Sequence, residues 1–257
     1  TMIFFRQVSQ QFGVAMSTAH DTVREVVAAI IAKMGEIITL PSDMQAIKAV
    51  ADGFGVFGFP NVYGAIDGSS IKVIVPASVK GNYYTRKHIT AINLTAMCDS
   101  KKRFLDINCG NSERCHDAHI FQTSELGRKV LAEKIIPEQY HIIGDAAYGL
   151  HTNILTPYKS EENAIQKRYN HLHSSTRMAV ERVFGDLKNR WRCLSGLECS
   201  VDFSKEIVAV CCILHNICIE NNDIQPTDKL IIPGSGNVVI QDCSTGKAKR
   251  DSLATML

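Results

Sequence analysis

The clearest periodic segment of the chain is residues 174–194, SSTRMAVERVFGDLKNRWRCL. At about 100° per residue, Ala179, Val180, Val183, Phe184, Leu187, Trp191 and Leu194 fall on one face. Arg177, Glu181, Lys188 and Arg192 form a narrow ridge beside it. The pattern predicts an amphipathic helix over 174–194, preceded by an irregular, polar stretch over 149–173. Residues 204–220 are apolar on nearly every side and predict a buried helix. Near the start, Val23, Val26, Val27, Ile30, Ile31 and Met34 recur at helical spacing. They predict a long helix from about Ser17, with Ser17 as N-cap, following a turn at Gly13 and a shorter helix over 4–12.

Between these helices the period changes. Residues 63–75 (YGAIDGSSIKVIV), 89–98 (ITAINLTAMC) and 104–109 (FLDINC) read as three antiparallel strands, the last two joined by the turn DSKKR. Short helices are expected over 43–51 and over 118–133, the second with Phe121, Leu126, Val130 and Leu131 apolar. A short buried strand at 141–143 ends in Gly144-Asp145. Three antiparallel strands, a helix, a strand and then helices predict a mixed α/β layer with the sheet at its centre. A crossover helix sets the fourth strand parallel to the first. The expected organisation is a partial helix–turn–helix unit over 1–40, a Gly/Pro-punctuated linker over 41–60, the catalytic-type domain over 61–222 and a flexible tail over 223–257.

Composition narrows this picture only a little. The chain has 257 residues, 45% hydrophobic and 21% charged, with a net charge of +2, so bulk charge does not point to nucleic acid. Over residues 159–192, however, eight Lys/Arg stand against four Asp/Glu. Nine cysteines without a small-domain disulfide spacing favour a reducing compartment. No apolar run approaches the ~18–20 residues needed to span a bilayer. The chain starts with Thr rather than Met, which reads as a trimmed or fragmentary start.

Three acids stand out: Asp67 and Asp145 at or near strand ends, and Glu181 on the ridge of the long helix. Converging, they would form a hard, oxygen-rich site suited to Mg²⁺ or Mn²⁺. Two such ions about 3.5–4 Å apart activate water on one side of a phosphodiester and stabilise the leaving oxygen on the other. Arg177, Lys188 and Arg192 would then hold the DNA backbone. Each acid also has a plainer reading. Asp67-Gly68 resembles a hairpin turn, Asp145 could cap a following turn, and Glu181 could pair with Arg177 on a helix surface. At the start of the long N-terminal helix, Ser17, Thr18, His20 and Arg24 are candidates for reading DNA. An ordinary helical hairpin is the alternative, and Asp21 on the same surface counts against DNA. Cys211, His215 and Cys218 share one helix face but lack an evident fourth zinc ligand. His116 and Asp117, at the start of the crossover helix, are possible auxiliaries where backbone amides can receive a phosphate.

At these residues the chain resembles the PIF/Harbinger transposases and Harbinger transposase-derived nucleases of the DDE superfamily. The matching segments are GFPNVYGAIDGSSIKV, YYTRKHITAINLTAMCDSKKRFLDI, HDAHIFQTSEL, IIGDAAYGLHTNILTPY, YNHLHSSTRMAVERVFGDLKNRWRCL and CCILHNIC, in family order. The resemblance places the family's three acids on Asp67, Asp145 and Glu181, with 35 residues between the last two. It implies an RNase H-like fold, a nuclease dependent on a divalent metal cation, a Myb-like DNA-binding partner protein, and a nuclear location with the cytoplasm as second compartment. Residues 85–88, TRKH, depart from the family's usual Asn-Arg-Lys-Gly run, and ERCHD replaces its small-residue stretch; both bear on substrate positioning. The alternative function is a catalytically silent, domesticated scaffold that binds DNA or recruits partners.

Overall fold

The computed structural model describes residues 2–75, 83, 89–112, 117–132, 135–223 and 245–257. Five strands form one mixed sheet in the order β3-β2-β1-β4-β5. They are β1 (Val62–Lys72), β2 (Ala91–Cys98), β3 (Phe104–Ser112), β4 (His141–Ile143) and β5 (Ile154–Leu155). β1–β2 and β2–β3 pair antiparallel, β1–β4 and β4–β5 parallel, so the expected meander and crossover are both present. β2 is buried along its whole length, as an interior strand covered on both faces should be. Mixed strands flanked by helices agree with an RNase H-like architecture, and a helical unit precedes them.

β1 divides its side chains between two cores, with a register shift between Val62 and Gly64 resetting the alternation. Ala65, Ile71 and Val73 join the larger one, built against α7 (Ala164–Arg190) and α8 (Val201–Glu220). Tyr63 and Ile66 point the other way, into a core with α5 (Asp117–Thr123) and α6 (Glu125–Leu131). The single crossover helix expected over 118–133 is therefore two helices. Ser124 breaks it: its backbone turns extended, and its hydroxyl accepts from Gly127 N at 3.0 Å as the N-cap of α6. Gly127 is the residue that permits the kink, because a Cβ there would sit 1.8 Å from Phe121 O.

At the N-terminus, α1 (Met2–Phe12) and α2 (Met16–Ile31) form the expected hairpin, and Val27 with the partly buried Val23, Ile30 and Ile31 packs on Phe203 and Val210 of α8. Two details differ. The N-cap of α2 is Ala15, without a side-chain hydrogen bond, so Ser17 lies inside the helix. Val26 is exposed rather than part of the apolar face. After the four-residue helix α3 (Met34–Ile37), the short helix expected over 43–51 is present as α4 (Met44–Gly55), within the stretch assigned to a linker. Asp43 caps α4, and Ile47, Val50, Ala51 and Phe54 are buried.

The C-terminal half departs most from expectation. α7 begins at Ala164, ten residues before the predicted start, so much of the supposedly irregular stretch is helical. It ends at Arg190, and Arg192 lies in a following 3₁₀ turn, Arg192–Ser195. The flexible tail expected over 223–257 fails over Gly246–Met256, which form α9. Leu253 and Ala254 of α9 are buried in the larger core, and Lys249 is buried with its ammonium on Tyr140 O at 2.8 Å. Among the described residues no helix is long and apolar enough to cross a membrane.

Candidate active site

Strand register brings the two aspartates level. Ala65 of β1 pairs with Ile143 of β4 in parallel, and Asp67 and Asp145 each follow two residues later. Two residues restore the same side of the pleat, so both project toward the face covered by α7. Asp67 is not at a strand end, as the sequence suggested. It lies within β1 opposite Ala96 of β2, which also removes the hairpin-turn reading of Asp67-Gly68. Asp145 does lie just beyond β4. There it caps the 3₁₀ turn Ala146–Tyr148, accepting from Ala147 N at 2.9 Å, so the plain capping role and a place at the site coexist.

α7 supplies the third acid. Ala179, Val180, Val183, Phe184 and Leu187 are buried against the sheet, and this fixes which side of the helix Glu181 occupies. Arg177, one turn earlier, joins the acids. Its Nη1 donates to Asp67 Oδ2 and its Nη2 pairs with Glu181 Oε1, both at 2.6 Å. Asp67 is 19% exposed and Glu181 49%. Burial raises the Asp67 carboxyl above its ordinary range, and the negative charges of Asp145 and Glu181 push it the same way. The Gly68 N–H and the Arg177 guanidinium oppose them. Asp145 and Glu181 thus both act electrostatically on Asp67.

Among the described residues, no three His, Cys, Asp or Glu side chains are assembled as ready metal ligands. The donor set nevertheless fits a hard divalent cation. Asp67, Asp145 and Glu181 offer only carboxylate oxygens, presented from a strand, a strand terminus and a helix, and the repulsion that Asp145 and Glu181 exert on Asp67 is what a cation would relieve. Among the described residues, soft thiolate ligation has no comparable set. His215 is buried and bonds Lys102 O at 2.9 Å, while Cys211 faces Cys193, so the Cys211–His215–Cys218 face is structural.

The remaining predicted residues divide. Lys188 is turned to the strand, donating to Ser69 Oγ at 2.8 Å and Ser70 O at 2.9 Å. It ties α7 to β1 two residues past Asp67. Arg192 is exposed on the turn after α7, away from the helical ridge. Ser17 and Thr18 are exposed on α2, whereas Arg24 stacks on the Phe203 ring at 4.4 Å and donates to His20 at 3.3 Å. His116 lies outside the described residues, and of Asp117 only the backbone, at the start of α5, is described.

The early turns of α7 add residues that the sequence reading missed. An open cleft of about 530 Å³ is lined by Asp145, Lys167, Asn170, His171, Ser174 and Arg177, among others. Asn170 holds its wall, accepting from Tyr158 N at 2.8 Å and donating to Glu161 at 3.0 Å. Behind the wall, His173 contacts Leu155 O at 3.1 Å and stacks on Tyr169; burial lowers its pKa to about 4, so it is neutral at pH 7. A capping-box pattern, Asn163 with Gln166, marked this segment in the sequence: the cap Asn163 accepts from Gln166 N, while Gln166 accepts from the N–H of Glu162, one residue before the cap.

Residues 66–216, more than half of the chain, match the DDE superfamily endonuclease model, a span that encloses all three acids. The HARBI1 protein of Rattus norvegicus, which its name describes as a candidate nuclease, is 29% identical over 223 residues, 85% of this chain and 63% of its own length. Its Homo sapiens counterpart is 27% identical with the same coverage. An ALP1-like protein of Arabidopsis thaliana is 28% identical over 232 residues, 84% of this chain and 57% of its own. The chain thus spans less than two thirds of these curated relatives. No solved structure matches it.

Proposed function

The chain belongs to the DDE superfamily endonucleases, and from that premise we propose that it is a divalent-metal-dependent DNA endonuclease of transposase descent. Asp67, Asp145 and Glu181 would hold Mg²⁺ or Mn²⁺. Bound there, such ions supply an activated water and a countercharge for the leaving oxygen of a phosphodiester. The observation that carries the reading is that Asp67 in β1 and Asp145 just beyond β4 each follow the paired residues Ala65 and Ile143 by two, with Glu181 on α7, the helix packed on this sheet.

The chain's own residues would prepare the site in three ways. Arg177 sets the spacing of Asp67 and Glu181 by bonding both. Lys188 anchors α7 on β1 and so holds Glu181 in register with Asp67. Lys167 and His171, which line the cleft that contains Asp145, would meet a phosphate backbone. Arg192 and the exposed start of α2, with Ser17 and Thr18, are further surfaces for DNA. A Myb-like partner and a nuclear location rest on the family resemblance and on the DNA substrate.

A second reading has one observation in its favour. An Arabidopsis thaliana relative, 26% identical over 250 residues, is named as an antagonist of a heterochromatin-like protein rather than as a nuclease. A non-cutting scaffold would bind DNA or a partner with the same fold. The discriminating experiment is cleavage of supercoiled plasmid by the purified chain with Mg²⁺ or Mn²⁺. Cleavage abolished by EDTA, by Asp67→Asn and by Glu181→Gln supports the enzyme. DNA retention without cleavage supports the scaffold, and cleavage that persists in both variants removes the triad from the chemistry.

A further inference from the structure

Away from the acidic site, two thiols face each other across the junction of the last long helices. Cys193 lies on the exposed 3₁₀ turn that follows α7, and Cys211 lies inside α8, 4% exposed. Their Sγ atoms are 3.9 Å apart. Among the described residues no other two thiols stand within hydrogen-bonding range; the Cys199 Sγ lies 3.1 Å from the Ser204 hydroxyl instead. The gap exceeds a disulfide bond length by roughly 2 Å.

We propose that Cys193 and Cys211 form a peroxide-reactive dithiol, with Cys193 as the attacking thiol and Cys211 as the resolving one. This assignment is independent of the nuclease reading.

The asymmetry of the pair sets the roles. Cys193 is reachable from solvent, whereas Cys211 is packed in the larger core. The hydrogen bond from Cys211 lowers the Cys193 thiol to about 7, with the backbone N–H groups of Cys193 and Leu194 acting in the same direction. The same contact and burial raise Cys211. Cys193 is therefore the thiol that ionises near neutral pH, and the thiolate is the nucleophile.

The chemistry is balanced with a hydroperoxide as oxidant. The Cys193 thiolate attacks one peroxide oxygen, an S–O bond forms, the O–O bond breaks, and hydroxide or alkoxide leaves, giving a sulfenic acid. The Cys211 thiol then attacks the Cys193 sulfur. The S–O bond breaks, water leaves carrying the Cys211 proton, and the disulfide forms. Two thiols are oxidised by two electrons in all, and one hydroperoxide is reduced. The product joins the turn after α7 to the middle of α8.

The test uses the whole chain, reduced and then freed of reductant, exposed to hydrogen peroxide, alkylated and digested for peptide mass analysis. The expected product is a cross-linked pair of peptides carrying Cys193 and Cys211, two hydrogens lighter than their sum. Cys193→Ser should abolish that product. Cys211→Ser should leave a sulfenic acid at Cys193 that dimedone traps. Should Cys211→Ser fail to fold, the alkylation rates of the wild type decide, with Cys193 expected to react at least about tenfold faster than the other thiols at pH 7.5. A cross-link between other cysteines, oxidation of Cys193 that stops short of Cys211, or no preference for Cys193 overturns the assignment.

Discussion

Arg177 and Asp67 meet across the two layers that build the site: the guanidinium from α7 donates to the carboxylate from the middle of β1 at 2.6 Å, with the arginine 21% and the aspartate 19% exposed. The other arm of the guanidinium holds Glu181 at the same distance. One cation thus links two acids whose charges repel, in partly desolvated surroundings where an uncompensated carboxylate is costly.

Removing that cation exposes the repulsion. Arg177→Ala is expected to lower stability by about 1–3 kcal/mol in divalent-free buffer. Part of the loss should return with Mg²⁺ or Mn²⁺, since an ion bound only by the folded state stabilises it by mass action. Thermal melts of both proteins with and without the metal check this; an equal deficit in both conditions would separate Arg177 from the cation site.

Lys188 should behave as a strut rather than as a phosphate contact. Lys188→Met removes the bonds to Ser69 and Ser70 and is expected to cost about 1–2 kcal/mol. Ser69→Ala in the same background should add less than it does alone, because the partner is already gone. A double-mutant cycle by urea unfolding measures the coupling, and additive effects would release Lys188 for DNA.

Most of the frame was legible because it follows from period and register. The apolar stripe from Ala179 to Leu187 required a sheet beneath it, and the strand-like runs predicted both the antiparallel meander and the parallel fourth strand. The misses have local causes. The first turns of α7 bury only Tyr169 and His173, so their amphipathic signal is weak, and the Asn163–Gln166 capping box was the cue that mattered. β5 has two residues, too short for any period. α9 is polar along most of its length and is held by Leu253, Ala254 and the buried Lys249, contacts made with segments distant in sequence. The Arg177–Glu181 pair was anticipated, but the bond from Arg177 to Asp67 was not. A ridge of like residues in sequence does not reveal which cation turns inward.

The C-terminal helix is accordingly part of the folded core. Leu253→Ala is expected to destabilise the protein by about 2–4 kcal/mol, the range for emptying a buried leucine site, since Leu253 is 0% exposed. Urea titration monitored by circular dichroism measures it. A change below about 0.5 kcal/mol, usual for a surface substitution, would return this segment to the status of a tail.

Asp106 carries a pH signature outside the active site. Burial, with Glu125 nearby, raises its carboxyl from 3.8 to about 6, against the opposing charge of Lys129. A carboxyl raised by folding contributes stability that is fully present below its unfolded value and is lost as pH rises through its folded value. Its contribution should therefore fall between about pH 4 and pH 6 and stay low above that. Asp106→Asn removes this dependence and is expected to stabilise the protein at pH 7 by about 1–3 kcal/mol. Stability profiles of the two proteins over that window check the sign.

Central to the proposed nuclease is a single cation site formed by Asp67, Asp145 and Glu181. Titration of Mn²⁺ into the purified chain, followed by electron paramagnetic resonance of the free ion, tests this most directly. Wild type should bind Mn²⁺, and Asp67→Asn, Asp145→Asn and Glu181→Gln should each weaken binding by more than about tenfold. Binding that is unchanged in the three variants, or absent from the wild type, would contradict it.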